Sequence, residues 1–170
     1  MMESNLRAVA DVDATAADTF EGLVEAQHAR LFRALFLITG NRAEAEEVMQ
    51  DAFLAVWERW DRVGGMEDPT GYLFRTAMNL WRKRVRRASV ALRRAVGPTL
   101  ARDDFEAAET KEVVFAALRE LSPKERAAIV TTALLGYTSE EAGRILGLKA
   151  ATVRMYASRA RSEMQRTVER

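Results

Sequence analysis

The stretch LLGYTSEEAGRILGLKAATVRMYASRAR, residues 134–161, decides how this chain is read. It holds two short helical patterns separated by Gly147. Gly136 ends the preceding helix, and Thr138 with Glu141 three residues on has the spacing of a capping box. Gly143 is small where two helices must cross closely, and Gly147 stands at the turn, where a positive φ is cheap only for glycine. This is the layout of a helix-turn-helix. In its second helix Val153, Ala157, Ala160, Met164 and Val168 form an apolar stripe, which leaves Arg154, Tyr156, Ser158, Arg159 and Arg161 toward solvent or a groove. Such a helix fits the major groove of B-form DNA, where arginine reaches guanine edges or phosphates. A plain helical hairpin shares the apolar pattern. The acid-free second helix and the small residue at the crossing favour DNA.

The rest of the charge map points the same way. The net charge of the 170 residues is only +1, but the charges are segregated. Residues 1–29 hold six acids against Arg7, and residues 75–102 hold nine bases and no acid. Residues 103–112 return to acid, and residues 142–162 hold five bases and no acid. Two separate basic islands are the electrostatic footprint of a protein that meets phosphates. One basic run alone would read as a solvated helix face.

Gly and Pro number 9 and 3, and no alternating strand pattern occurs, so the chain reads as all-α. Residues 1–18 lack a period and are expected to be a disordered extension. Phe20, Leu23, Val24, Leu31, Ala34, Leu35 and Ile38 mark a first helix, stopped at Gly40. Asn41 and Glu44 suggest a capping box for a second, with Ala45, Val48, Met49, Ala52, Phe53, Val56, Trp57 and Trp60 on its core face. Residues 61–71 read as loop, and Asp68-Pro69 starts a third helix. Four more helices follow: Glu109–Leu121, Pro123–Leu135, Ser139–Leu146 and Ala150–Val168. Ser122 and Glu125 again have capping-box spacing. The organisation is therefore an extension at 1–18, a module at 19–88, a linker at 89–108 and a second module at 109–170.

Two further faces carry chemistry. In the third helix Tyr72 and Trp81 stand among Arg75, Arg82, Lys83, Arg86 and Arg87, behind a Gly-rich loop. Aromatic stacking with a cationic backbone grip is how unpaired bases are held. Trp81 as simple core is the other reading. On the second helix Glu47, Asp51 and Glu58 surround Leu54, and an exposed leucine among acids suits a partner helix. A solvated acidic face is the plainer alternative. Cysteine is absent and His28 is the single histidine, which argues against thiolate or imidazole metal sites. No acid–base or phosphate-cradling motif is visible, so the chain is read as a non-enzyme with no cofactor. No apolar run nears the roughly 20 residues of a membrane span, and no secretory signal is visible; a cytoplasmic location without membrane insertion is expected.

The blocks AEEVMQDAFLAVWERW, GYLFRTAMNLWRKRVRR, LRELSPKERAAIV and GYTSEEAGRILGLKAATVRMYASRAR, in this order, resemble a bacterial sigma factor of the extracytoplasmic-function group. The resemblance covers roughly residues 20–168. It implies two helical modules, regions two and four, that bind core RNA polymerase and recognise promoter DNA to initiate transcription, with a stress or envelope regulon. By position, Glu47, Asp51, Ala52, Phe53 and Leu54 match the part that grips polymerase. Arg75, Asn79, Trp81, Arg82, Lys83 and Arg86 match the reader of the melted minus-ten element. Lys149, Thr152, Arg154, Met155, Tyr156, Ser158, Arg159 and Arg161 match the reader of the minus-thirty-five element. Lys149 replaces the family's capping serine, Tyr156 an arginine, Ala157 a leucine and Gly143 an alanine, which bears on the bases read. With the chain stopping at Arg170, control is expected from a separate anti-sigma factor rather than an appended domain. The alternative is a stand-alone helix-turn-helix repressor or activator.

Overall fold

The computed structural model describes the backbone of residues 19–92 and 109–169 and the side chains of residues 19–88 and 113–169. The extension expected at 1–18 and most of the expected linker lie outside the described residues. Every regular element among the described residues is helical. Helices α1 (Phe20–Thr39), α2 (Arg42–Trp57), α3 (Trp60–Val63) and α4 (Pro69–Leu92) form a first bundle. Helices α5 (Glu109–Glu120), α6 (Pro123–Ile129), α7 (Ser139–Leu146) and α8 (Ala150–Val168) form a second, with a π-helical turn at Val130–Leu134.

Local chemistry sets most boundaries. Gly40 ends α1 at φ 69°, and its N–H donates to the Phe36 carbonyl. Ser122 with Glu125, and Thr138 with Glu141, form complete capping boxes. The Asn41 site is half of one. Its Oδ1 accepts from the Glu44 N–H at 2.9 Å, but the Asn41 N–H donates to Thr39 Oγ1 instead. Asp68 Oδ1 accepts from the Gly71 N–H at 2.8 Å at the start of α4. Gly147 adopts φ 65°, as the turn requires.

Three boundaries depart from expectation. Residues 61–71 are not all loop, because Trp60–Val63 close a helical turn that buries Val63 completely. Helix α4 runs to Leu92, four residues into the stretch assigned to the linker. The helix expected at Pro123–Leu135 widens at Val130. There Thr131 and Thr132 hydroxyls donate to the Ala127 and Ala128 carbonyls, at 2.6 and 2.8 Å. Competition of this kind for the carbonyls opens the α-helical ladder, and Leu135 N–H bonds five residues back, to Val130.

The two bundles share one core. Leu31, Leu35, Ile38, Leu73, Phe74 and Met78 of the first are continuous with Leu118, Leu121, Ile129, Leu146 and Ala160 of the second. Each fully buried large apolar side chain contributes about 1.5–3 kcal/mol relative to exposure. Aromatic pairs bridge the boundary: Phe36 and Phe115 ring centroids lie 5.7 Å apart, and Phe74 and Tyr137 lie 6.1 Å apart edge to face. Three arginines cross it as well. Arg30 Nη2 donates to the Leu135 carbonyl at 2.7 Å, Arg126 Nη1 to the Ile38 carbonyl at 3.1 Å, and Arg82 to the Leu146 carbonyl. Burial, and then the nearby Arg119, lower the pKa of the Arg126 guanidinium from its ordinary value.

Candidate functional site

Helix α2 presents a mixed apolar and acidic surface. Leu54 is 56% exposed and Trp57 is 52% exposed. Ala52 is fully buried and Phe53 nearly so, and they support the surface from below. Phe53 packs edge-on to Phe20, and Phe20 lies 4.9 Å from the Trp57 ring. Phe20, Val24, Phe53, Leu54 and Trp57 line an open groove of about 660 Å³, edged by Glu21 and Glu25. Helical spacing places Trp57 on the core face of α2. The structure corrects that: it stands at the last turn of α2, about half exposed, with the Phe20 ring packed against it. Glu47 and Asp51 are exposed, and both are bound by Arg84 of α4, at 2.6 and 2.7 Å. Desolvation raises the pKa of the neighbouring Glu44 carboxyl, against the lowering influence of Arg84.

Helix α4 carries the first basic island. Arg75, Lys83 and Arg86 lie on its exposed side, and Asn79 is half-buried. Trp81 is 6% exposed and belongs to the shared core, so the stacking role read for it has no open ring face in this arrangement. Helical spacing puts Arg82 on the outward face. It is instead turned against the second bundle, donating to Asn79 Oδ1 and to the Leu146 carbonyl. Arg62 donates to the Tyr72 hydroxyl at 3.2 Å and lies over its ring, which fixes α3 against the start of α4.

Helix α8 offers the second island. Val153 and Ala157 pack on Ala128 and Ala142, and Ala160 enters the shared core. Lys149 occupies the N-cap position without a side-chain cap bond. Arg154, Met155, Ser158, Arg159 and Arg161 are exposed, and Thr152 is half-buried at the edge of this face. Arg154 pairs with Glu140 of α7 at 3.0 Å. Tyr156 departs from the outward set: it is half-buried, packs on the small cluster behind α8 and lines the cleft toward α4. A methyl group on Gly143 would sit 2.6 Å from the Leu148 carbonyl oxygen, so α7 and α8 meet this closely only with glycine there.

Comparison with known families gives a match for each of the two bundles. The description "Sigma-70 region 2" matches residues 23–90, and "Sigma-70, region 4" matches residues 111–164. The chain belongs to the sigma-70 family, in its extracytoplasmic-function group. The first bundle is region 2 and the second is region 4. The sigma factor SigE of Mycolicibacterium smegmatis is 29% identical over 164 residues, a match covering 90% of this chain and 63% of that one. SigL of Mycobacterium tuberculosis is also 29% identical, covering 89% of this chain and 92% of that one. Among solved structures, the sigma factor RpoE of Bartonella quintana, crystallised with the anti-sigma factor NepR, has a TM-score of 0.79 at 21% identity. That match covers 88% of this chain and 96% of that one. CnrH in complex with the cytosolic domain of CnrY matches with a TM-score of 0.60 at 26% identity, covering 92% and 94%.

Region 2 therefore contains the α2 surface and the basic helix α4, and region 4 contains the helix-turn-helix. Reading the sequence missed Trp57, Arg84, Arg30 and Arg126. For Trp57 a signal existed, since it lies one turn beyond Phe53 and Leu54 at the helix end. For the arginines none existed, because their partners are 33 to 105 residues away in sequence. No helix among the described residues is long and apolar enough to cross a membrane.

Proposed function

We propose that this protein binds core RNA polymerase and directs it to promoters, with α2 gripping polymerase, α4 reading the melted minus-ten element and α8 reading the minus-thirty-five element. The exposed Leu54–Trp57 pair, edged by acids on a region 2 surface, carries the reading. A soluble monomer has little reason to expose a tryptophan beside a leucine unless a partner covers them. Aromatic side chains in such patches supply much of the energy of protein–protein contacts. Leu54 and Trp57 are the apolar anchors, Glu47 and Asp51 supply electrostatic steering, and Ala52 and Phe53 hold the surface in shape.

On α4, Arg75, Lys83 and Arg86 hold the strand backbone, and Asn79, Trp81 and Arg82 contact bases once uncovered. On α8, Lys149, Thr152, Arg154, Met155, Ser158, Arg159 and Arg161 face the duplex, with Tyr156 at the flank. The family is one of initiation factors rather than enzymes, and the protein acts without a cofactor, in the cytoplasm where polymerase is. RpoE was crystallised with the anti-sigma factor NepR and CnrH was solved with the cytosolic domain of CnrY, which supports control of this chain by an anti-sigma factor; the proposed regulon is a stress or envelope one.

Run-off transcription with core polymerase on a genomic promoter library tests the proposal. Specific transcripts dependent on this chain are the expected result. A repressor would instead shift its own duplex site in a gel without polymerase, and it would leave the Leu54–Trp57 patch without a purpose.

A further inference from the structure

Helix α7 starts on two acids, and they do different things. Glu141 closes the capping box, accepting from the Thr138 N–H at 2.8 Å. The carboxylate of Glu140 reaches the other way. Its Oε1 accepts from Arg154 Nη1 at 3.0 Å, across the turn to α8. Gly147 at φ 65° and the bond from the Leu148 N–H to the Gly143 carbonyl fix that turn, so the two side chains meet from a rigid frame.

Stability does not account for this pair. Both side chains are exposed, 58% for Arg154 and 64% for Glu140, and solvent screens such a contact. Its place is more telling. Arg154 stands on the outward face of α8 with Met155 and Ser158, and from Lys149 to Ser162 the chain carries no acid. Glu140 brings a carboxylate from α7 to a face that is otherwise basic.

We infer that Glu140 is a specificity-determining residue of the minus-thirty-five face: its carboxylate aims the Arg154 guanidinium at a guanine edge and opposes its use as a phosphate clamp. This rests on the sigma-factor reading and assigns discrimination at one promoter position to a pair of side chains.

Arginine reads guanine by donating two N–H groups to O6 and N7, which requires the planar fork to be correctly turned. The Glu140 bond takes Nη1 and leaves the edge of Nε and Nη2 for the base. A side chain already held at one nitrogen also loses less freedom when it meets that base. The same carboxylate works against a phosphate, because two anions would share one cation. A backbone contact there neutralises less charge and releases fewer counterions. Without Glu140, Arg154 can turn to a phosphate, which carries no sequence information.

The test uses the full chain bound to core polymerase on a promoter library, with binding followed against salt. Glu140→Gln should relax the preference at one minus-thirty-five position by up to about fivefold, the scale of an exposed ion pair. It should also steepen the log–log salt dependence by about 0.9, the size of one further phosphate contact. Glu140→Asp keeps the charge on the first turn of α7 but shortens the reach, and should relax the same position without steepening the slope. In an Arg154→Gln background, Glu140→Gln should change nothing at that position. An unchanged profile or an unchanged slope in Glu140→Gln overturns the assignment. So does relaxation by Glu140→Gln but not by Glu140→Asp, or equal relaxation with and without Arg154. If the wild-type chain with core polymerase gives no specific transcript, the sigma-factor reading fails and this assignment fails with it.

Discussion

The Arg84 guanidinium of α4 donates to Asp51 of α2 at 2.7 Å, and its other terminal nitrogen reaches Glu47 at 2.6 Å. These hydrogen bonds, to Glu47 first and then Asp51, push the Arg84 pKa above its ordinary value. One basic side chain thus ties the proposed polymerase face to the proposed DNA helix. The acids are half or more exposed, so the pairs are screened by solvent. Arg84→Ala should cost up to about 1 kcal/mol of stability at low salt and less at high salt. Urea unfolding at two ionic strengths measures it.

Leu54→Glu should leave the helical circular dichroism unchanged and weaken core polymerase binding by about 2–4 kcal/mol, from a lost apolar contact and a buried charge. Trp57→Ala should weaken it too, by about 2 kcal/mol or more if the ring is an anchor. A titration in which both variants bind like the wild type removes this face from the interface.

Gly143→Ala forces a methyl group to within 2.6 Å of the Leu148 oxygen. The Leu148 N–H also donates to the Gly143 carbonyl at 2.9 Å, so the turn has little freedom to yield. Region 4 should lose about 1–3 kcal/mol, as overpacked sites do. Loss of minus-thirty-five recognition should accompany the fall in the unfolding midpoint.

On α8, Arg154→Ala should cost about 1–3 kcal/mol and relax one promoter position if the guanidinium meets a base edge. A phosphate contact would weaken all sequences alike. Tyr156→Arg should leave the preference profile unchanged, because Tyr156 points along the flank toward α4 rather than outward. A promoter-library readout in the presence of polymerase separates these outcomes.

Region 4 should lose stability in acid. The Glu125 pKa is lowered from the ordinary 4.5, first by the Ser122 hydroxyl and then by its backbone N–H. A folded pKa below the unfolded one stabilises above 4.5, and that contribution is lost as pH falls through the folded value. Ser122→Ala should therefore show a smaller loss than wild type between about pH 5 and pH 3 in urea titrations.

The helix ends were legible because their chemistry is local. Gly40, Ser122, Thr138 and Gly147 act on backbone within five residues of themselves, so spacing alone places them. The helix-turn-helix and the exposure of Leu54 followed from periodicity in the same way. Arg82 did not. On an isolated α4 it points outward, and only packing of a segment 64 residues later turns it inward. The π-helical turn depends on hydroxyl-to-carbonyl bonds that compete with a helix the propensities favour, so periodicity carried straight through it. Trp57 escapes the period because an apolar residue type does not by itself entail burial at a helix end.

The three bonds across the region boundary have a genetic consequence. Their acceptors are main-chain oxygens of Ile38, Leu135 and Leu146, which no codon change removes while the helix ends persist. Point mutation can therefore weaken these contacts on the donor side, in three arginine codons, more readily than on the acceptor side. Changes at Arg30 and Arg126 then loosen the region boundary without touching a proposed reading face, whereas a change at Arg82 alters the proposed minus-ten reader as well.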